Sequence, residues 1–238
     1  MDINSNKYTY IFSIIMVIVV AALLSYTALS LKAPQEANIE LEKKQEILLS
    51  INVKVEREAA GKAFDKYIKQ SLVIQGGKVL EKPTVPAFSI DMASTVAKPG
   101  PERELPLYVA EVDGKEFYIL PVRGKGLWGP VWGNVAMEKD GNTVYGVTFG
   151  HKGETPGLGA EISLPIFTDQ FKGKKISEGT EFVSIEVRKG EATTAHQVNG
   201  ISGGTITSVG VQDMLKDCLA PYADYFLSLS NAPKDSAL

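Results

Sequence analysis

Ser202-Gly203-Gly204-Thr205-Ile206-Thr207-Ser208 combines two glycines, several hydroxyls and the start of an apparent helix. Those residue types in that order suit an anion. Glycine lets the main chain come close to a phosphate, and the first-turn N–H groups of a helix have no partner inside it. A threonine oxygen can also be esterified to a phosphate. That is the chemistry of a covalently carried flavin mononucleotide, and it would make the chain an electron carrier. The plain alternative is a turn followed by an N-cap, since Ser and Thr oxygens accept from such N–H groups.

Two further loops are richer in glycine than a hairpin requires. One is Arg123-Gly-Lys-Gly-Leu-Trp-Gly-Pro130, followed by Val131-Trp132-Gly133; the other is Gly150-His-Lys-Gly-Glu-Thr-Pro-Gly-Leu-Gly159. Together with the first segment they predict backbone folded closely around a planar, phosphorylated ligand. Trp128 and Trp132 are candidates for contact with its ring, against their ordinary role as core anchors. Glu154 and Thr155 offer polar groups for ring or ribityl atoms. No catalytic acid–base set emerges: there is no Gly-x-Ser-x-Gly elbow, no phosphate-loop Gly-Lys-Ser/Thr and no His–Cys pairing. A cofactor would have to carry the chemistry. Cys218 is the single cysteine, which excludes an intrachain disulfide, and His151 and His196 lie too far apart in sequence to suggest a metal site. At helical spacing from Met214, Cys218 is expected as a buried apolar thiol.

These loops need a scaffold, and the chain is long enough for one. Its 238 residues fit one medium domain plus an appendage. With 44% hydrophobic and 22% charged residues it has the composition of a globular protein, and a net charge of −3 argues against a nucleic-acid partner. From Tyr10 to Leu31 run 22 residues without a charge. As a helix they reach roughly 33 Å, enough to cross a hydrocarbon core of about 30 Å. The apolar run exceeds that of a typical signal peptide, so a permanent membrane anchor over 1–33 is expected, with the transmembrane helix at about 10–31. Charge leaves its orientation open.

An amphipathic helix is expected after Ala33-Pro34, with Ile39, Ile47, Leu48 and Ile51 apolar, and a second helix over Val55–Ser71. Five prolines between Gly76 and Pro106 predict extended or looping chain. Residues 34–104 are thus assigned to a helical stalk and connector, and 105–238 to the ligand-binding domain. Leu107–Val112 and Lys115–Val122 around Asp113-Gly114 predict one hairpin. Val131–Met137 and Thr143–Phe149 around Asp140-Gly141 predict another. Phe182–Val187 is expected as a strand, Phe167–Phe171 as a short helix and Val209–Leu219 as a longer one. Without strict βαβ alternation, the class is α+β.

The segments GKGLWGPVWGNVAME from Gly124, GETPGLGAEI from Gly153, FKGKKIS from Phe171 and NGISGGTITSVGVQDML from Asn199 stand behind an amino-terminal apolar helix. In this order and spacing the chain resembles the family of the C subunit of the Na⁺-translocating NADH:quinone oxidoreductase, and more distantly the G subunit of the Rnf electron-transport complex. The resemblance implies one FMN per chain, esterified to Thr205, with Ser202, Gly203, Gly204 and Thr207 around its phosphate. Thr207 is the competing acceptor, more in keeping with a helix cap or a bond to the phosphate. Glu154, Thr155, Leu158 and Trp128 become candidates for ring and ribityl contacts.

The resemblance further implies an electron-relaying subunit of a sodium-pumping NADH:ubiquinone reductase, without a complete active site or a metal of its own. Its partners would be the A, B, D, E and F type subunits, the lipid bilayer and a flavin transferase that uses FAD. Its site of action would be the bacterial inner membrane, with the carboxy-terminal domain periplasmic. The alternatives are an Rnf-type subunit linking ferredoxin and nicotinamide, and an anchored FMN-binding module outside any redox pump. Two positions depart from the family: Gly204 stands where alanine is usual, and Asn199 where aspartate is usual.

Overall fold

The computed structural model describes residues 5–230; the end of the expected 105–238 domain, residues 231–238, lies outside them. The chain forms two compact units, Met1–Lys43 and Lys44–Leu238. Helix α1 (Asn6–Ser50) includes Pro34, so the helix expected at about 10–31 and the amphipathic helix expected after Ala33-Pro34 form one continuous helix. A proline there removes one intrahelical hydrogen bond, a local cost that the rest of this long helix tolerates. The helix is long and apolar enough to cross a membrane, with a mean hydropathy of 2.5 in its most apolar window. Every side chain from Tyr10 to Leu31 faces outward. Thr27 and Ser30 turn their hydroxyls back onto backbone carbonyls of Leu23, Leu24 and Thr27, which satisfies them within the helix.

In the second unit Ile47, Leu48 and Ile51 are buried, while Ile39, in the first, is exposed. A short helix, α2 (Ala60–Tyr67), leads directly into strand β1 (Ile68–Gln75). The helix expected over Val55–Ser71 is therefore too long. The residues from Leu72 to Ile74, two of them β-branched, favour a strand, and pairing with a neighbour overrides the helical spacing before it. The proline-rich stretch holds strand β2 (Lys78–Val79) and helix α3 (Met92–Val96), which Asp91 caps by accepting from the N–H groups of Ala93 and Ser94.

Both expected hairpins form, as β3 (Leu105–Val112) with β4 (Lys115–Lys125), and β5 (Pro130–Glu138) with β6 (Val144–His151). They join β1 and β2 in one antiparallel sheet of order β2-β1-β3-β4-β5-β6. Alternate residues feed two cores on its opposite faces. Leu107, Val109, Leu120, Val122, Val131 and Val135 enter one; Tyr108, Ala110, Phe117, Ile119 and Ala136 enter the other, with Ile47 and Phe64.

The chain continues through α4 (Pro165–Thr168), β7 (Ser177–Glu178), β8 (Glu181–Phe182), β9 (Glu186–Arg188) and β10 (Gln197–Asn199). The single strand expected over Phe182–Val187 is split in two. Ser184 between its parts has φ +64°, in the left-handed region, which an uninterrupted strand excludes.

Helix α5 (Thr205–Ser230) is longer at both ends than the expected Val209–Leu219. Its stripe Val211, Met214, Leu215, Cys218, Leu219 and Tyr222 lies in the first core. Burial pushes the Cys218 thiol up to about 11, so it is a packed apolar group. Two glycines let α5 lie close on β4. Gly210 rests on the Lys125 carbonyl, and a Cβ at Gly124 would come 2.6 Å from Met214 Cβ. This close approach fixes the first turn of α5 beside the loop that follows β4.

Candidate functional site

The approach to α5 is held by backbone bonds. Gly200 N–H donates to Arg188 O (2.7 Å) and Gly204 N–H to Ile201 O (3.0 Å), while Gly203 turns the chain at φ +76°. Ile201 N–H donates to Ser208 Oγ at 3.0 Å, so Ser208 braces the turn. Helical pairing starts with Ser208 N–H to Gly204 O (2.9 Å). Among the described residues no acceptor faces the N–H groups of Thr205, Ile206 and Thr207, as expected of a first helical turn. Thr205 is exposed at its head, whereas Thr207 and Ser208 are buried.

Two hollows flank this turn, with Gly203 and Thr205 in the wall of both. One, of about 220 Å³, is lined by Leu127, Glu154, Thr155, Leu158, Gly159 and residues 203–207. The other, of about 250 Å³, is lined by residues 187–190, Gly200 to Gly203, Thr205, Ser208 and Val209. Each is smaller than the ~300–1,000 Å³ of enclosed small-molecule sites, so a ligand seated here would keep part of its surface exposed.

The three glycine loops meet at one side chain. Glu154 is 4% exposed. Its Oε1 accepts from the Trp128 N–H at 2.8 Å and its Oε2 from the Thr207 hydroxyl at 2.6 Å. Its own N–H donates to His151 Nδ1 at 3.2 Å. Thr207, for which a helix cap or a bond to the phosphate is expected, is therefore a buried donor to a carboxylate.

Glu154, Thr155, Leu158, Gly203, Gly204, Thr205 and Thr207 share the first hollow, and Ser202 lines the second. Trp128 stands beside the first, bonded through its main chain, with 69% of its surface exposed; it is no core anchor. Trp132 packs on Gly150, where a Cβ would come 2.7 Å from its indole nitrogen, and it lines neither hollow. Sequence reasoning missed Leu127, whose signal is its place in the Gly-Leu-Trp run. It also missed Arg188 and Lys189, which only the parallel pairing of β9 with β10 brings to the turn. Asn199 uses its side-chain oxygen to accept from the Ala192 N–H at 2.6 Å. The acceptor that asparagine shares with aspartate is the one engaged.

A phosphate monoester fits the donor set: an exposed threonine hydroxyl and three N–H groups at a helix start, with two basic residues, Arg188 and Lys189, among those lining the adjoining hollow. Leu127, Leu158 and Ile206 line the other hollow and are each more than 40% exposed, an apolar rim suited to a planar ring.

Residues 126–220 match the family profile of the FMN-binding domain. The chain is 34% identical over 213 residues to the C subunit of the Na(+)-translocating NADH-quinone reductase of Vibrio alginolyticus, with 82% of this chain and 83% of that protein covered. It is 31% identical over 219 residues to the same subunit of Haemophilus ducreyi, with 85% of each covered. The crystal structure of that subunit from Parabacteroides distasonis superposes with a TM-score of 0.75 at 42% identity, covering 82% of this chain and 96% of that one.

Proposed function

This chain belongs to the family of the C subunit of the Na(+)-translocating NADH-quinone reductase, and from that premise we propose that it carries flavin mononucleotide on Thr205 and relays electrons within a membrane complex. The observation that carries this reading is the contrast between two threonines two residues apart. Thr205 is exposed at a helix start with free N–H groups; Thr207 is 1% exposed and already donates to Glu154.

In this reading Thr205 Oγ forms the phosphoester. The N–H groups of Thr205, Ile206 and Thr207 donate to the remaining phosphate oxygens, and the turn at Gly203, with φ +76°, brings the backbone to them. Ser202, Arg188 and Lys189 face the phosphate from the second hollow. Leu127, Leu158 and Trp128 exclude water from one side of the ring, and Thr155 offers a hydroxyl to the ribityl chain. The bound flavin supplies one-electron and two-electron transfer, which none of these side chains provides. The protein binds and orients it.

The same reading makes α1 a single-pass anchor in a bacterial inner membrane, with the FMN-binding unit on the periplasmic side. There an untethered flavin would be lost by dilution. The A, B, D, E and F type subunits are its redox neighbours, electrons from NADH pass on toward ubiquinone, and sodium moves through other subunits. A flavin transferase installs the cofactor from FAD. Digestion of intact spheroplasts tests the placement: externally added protease is expected to remove the Lys44–Leu238 unit, and full protection would contradict a periplasmic domain.

Attachment is tested by expressing the full chain with its transferase and viewing denaturing gels under ultraviolet light. The parent and Thr207→Val are expected to fluoresce, and Thr205→Val to be dark. A fluorescent Thr205→Val band, or a dark parent, would overturn the assignment.

A further inference from the structure

Glu154 is built in more firmly than a ligand contact requires. One carboxylate touches all three glycine loops, and both of its oxygens are engaged by neutral donors of the chain itself, Trp128 N–H and Thr207 O–H. Glycines make the space for it. A Cβ at Gly126 would come 2.6 Å from Oε1, and one at Gly159 would come 2.6 Å from Oε2 and 2.5 Å from Thr207 Oγ1. Each carboxylate oxygen is thus directed at a partner within the protein.

We propose that Glu154 is a positioning residue that decides which threonine takes the flavin: it holds the Thr207 hydroxyl inward and leaves Thr205 as the only acceptor at the start of α5. The proposal rests on the reading that a flavin phosphate is esterified at this turn. In that transfer the acceptor oxygen bonds to the flavin-side phosphorus of FAD, the bond from that phosphorus to the bridging oxygen breaks, AMP leaves and the hydroxyl proton passes to solvent. The acceptor must therefore meet phosphorus from outside the fold. Thr205 is exposed and does so; Thr207 is 1% exposed, with its hydroxyl hydrogen directed at Glu154 Oε2. The same short bond also has the form of a general base activating Thr207. The two roles make opposite predictions once Thr205 is removed.

The test uses the full-length chain co-expressed with the flavin transferase, with mass spectrometry of the peptide spanning residues 199–212. The arms are the parent, Thr205→Val, Thr205→Val/Glu154→Ala and Thr205→Val/Glu154→Gln. The parent is expected to carry FMN on Thr205, and Thr205→Val to lose at least tenfold of the label. Removing Glu154 in that background frees the second hydroxyl, and label is expected on Thr207 at three times the Thr205→Val level or more. Glutamine keeps the volume of the side chain and its bond to the Trp128 N–H while no longer binding the Thr207 proton as a carboxylate does, so it decides the question if the alanine variant does not fold. Label on Thr207 in Thr205→Val with Glu154 present, lost again with glutamine, would make Glu154 a base and overturn the proposal. Folded double variants without label would also overturn it. A parent without FMN on Thr205 would overturn the reading of the attachment itself, which separates that failure from this one.

Discussion

A methyl group at Gly204 would stand 3.0 Å from Ile201 Cγ2 and 3.3 Å from the Gly159 nitrogen, whereas one at Gly159 would strike the Thr207–Glu154 bond. The two sites predict opposite outcomes for one chemical change. Ile201 is a half-buried side chain that yields by a few tenths of an ångström. Gly204→Ala is therefore expected to change stability by less than about 1 kcal/mol and to leave flavin attachment intact. Gly159→Ala separates a buried hydroxyl from its carboxylate and is expected to cost about 2–3 kcal/mol. Urea unfolding of the two variants checks this, and equal midpoints would refute it. At this scale the sequence pointed to the three loops that meet, but not to Leu127, Arg188 or Lys189, and it left open what each residue does there. Glycine spacing flagged the turn, and the resemblance pointed to Thr205. That Thr207 faces inward became visible only once Glu154, 53 positions earlier, was found against it.

Among the elements, α5 carries the first turn of the site and contains Pro221. Proline has no N–H, so the carbonyl four residues earlier, that of Asp217, loses its helical partner. Arg103 takes that place. Its Nη1 lies 3.4 Å from Asp217 O and 2.8 Å from Asp217 Oδ2, while Nε and Nη2 donate to the carbonyls of Lys98 and Val96. Arg103 is buried while Asp217 is 55% exposed, so the carbonyl contacts matter more than the ion pair. Arg103→Met is expected to cost about 2–4 kcal/mol, with a fall in Tm of at least 4 °C, and Asp217→Asn less than half as much. Thermal melts decide, and equal losses would mean that the charge pair dominates.

Neither Arg103 nor Pro221 drew notice in the sequence, because their link spans more than a hundred residues and follows no spacing rule. The hairpins were legible because Asp-Gly turns and alternating apolar residues are local signals. Strand β1 was not. Ala60, Phe64 and Ile68 recur at helical spacing, and only the edge offered by β3 turns the chain into a strand from Ile68 onward.

For the molecule as a whole, the question is where the globular unit begins. The sequence placed a stalk and connector over 34–104, ahead of the binding domain. Yet Ile47, Leu48, Ile51, Ile68 and Val73 are buried in the same core as Tyr108 and Ile119 of the central sheet. The final turns of α1 thus complete the hydrophobic cover of one sheet face, while its stretch from Tyr10 to Leu31 is exposed. A chain starting at Glu36 keeps that cover and drops the apolar run. It is expected to leave the membrane fraction and melt in a single transition. A chain starting at Lys54 loses Ile47, Leu48 and Ile51, each contributing roughly 1.5–3 kcal/mol by burial. Their sum consumes most of the ~5–15 kcal/mol by which a domain is folded. That shorter chain is expected to aggregate or to lose its cooperative transition, in differential scanning fluorimetry as in size-exclusion chromatography. Equal melting of the two truncations would mean that the end of α1 only tethers the FMN-binding unit and does not belong to its core.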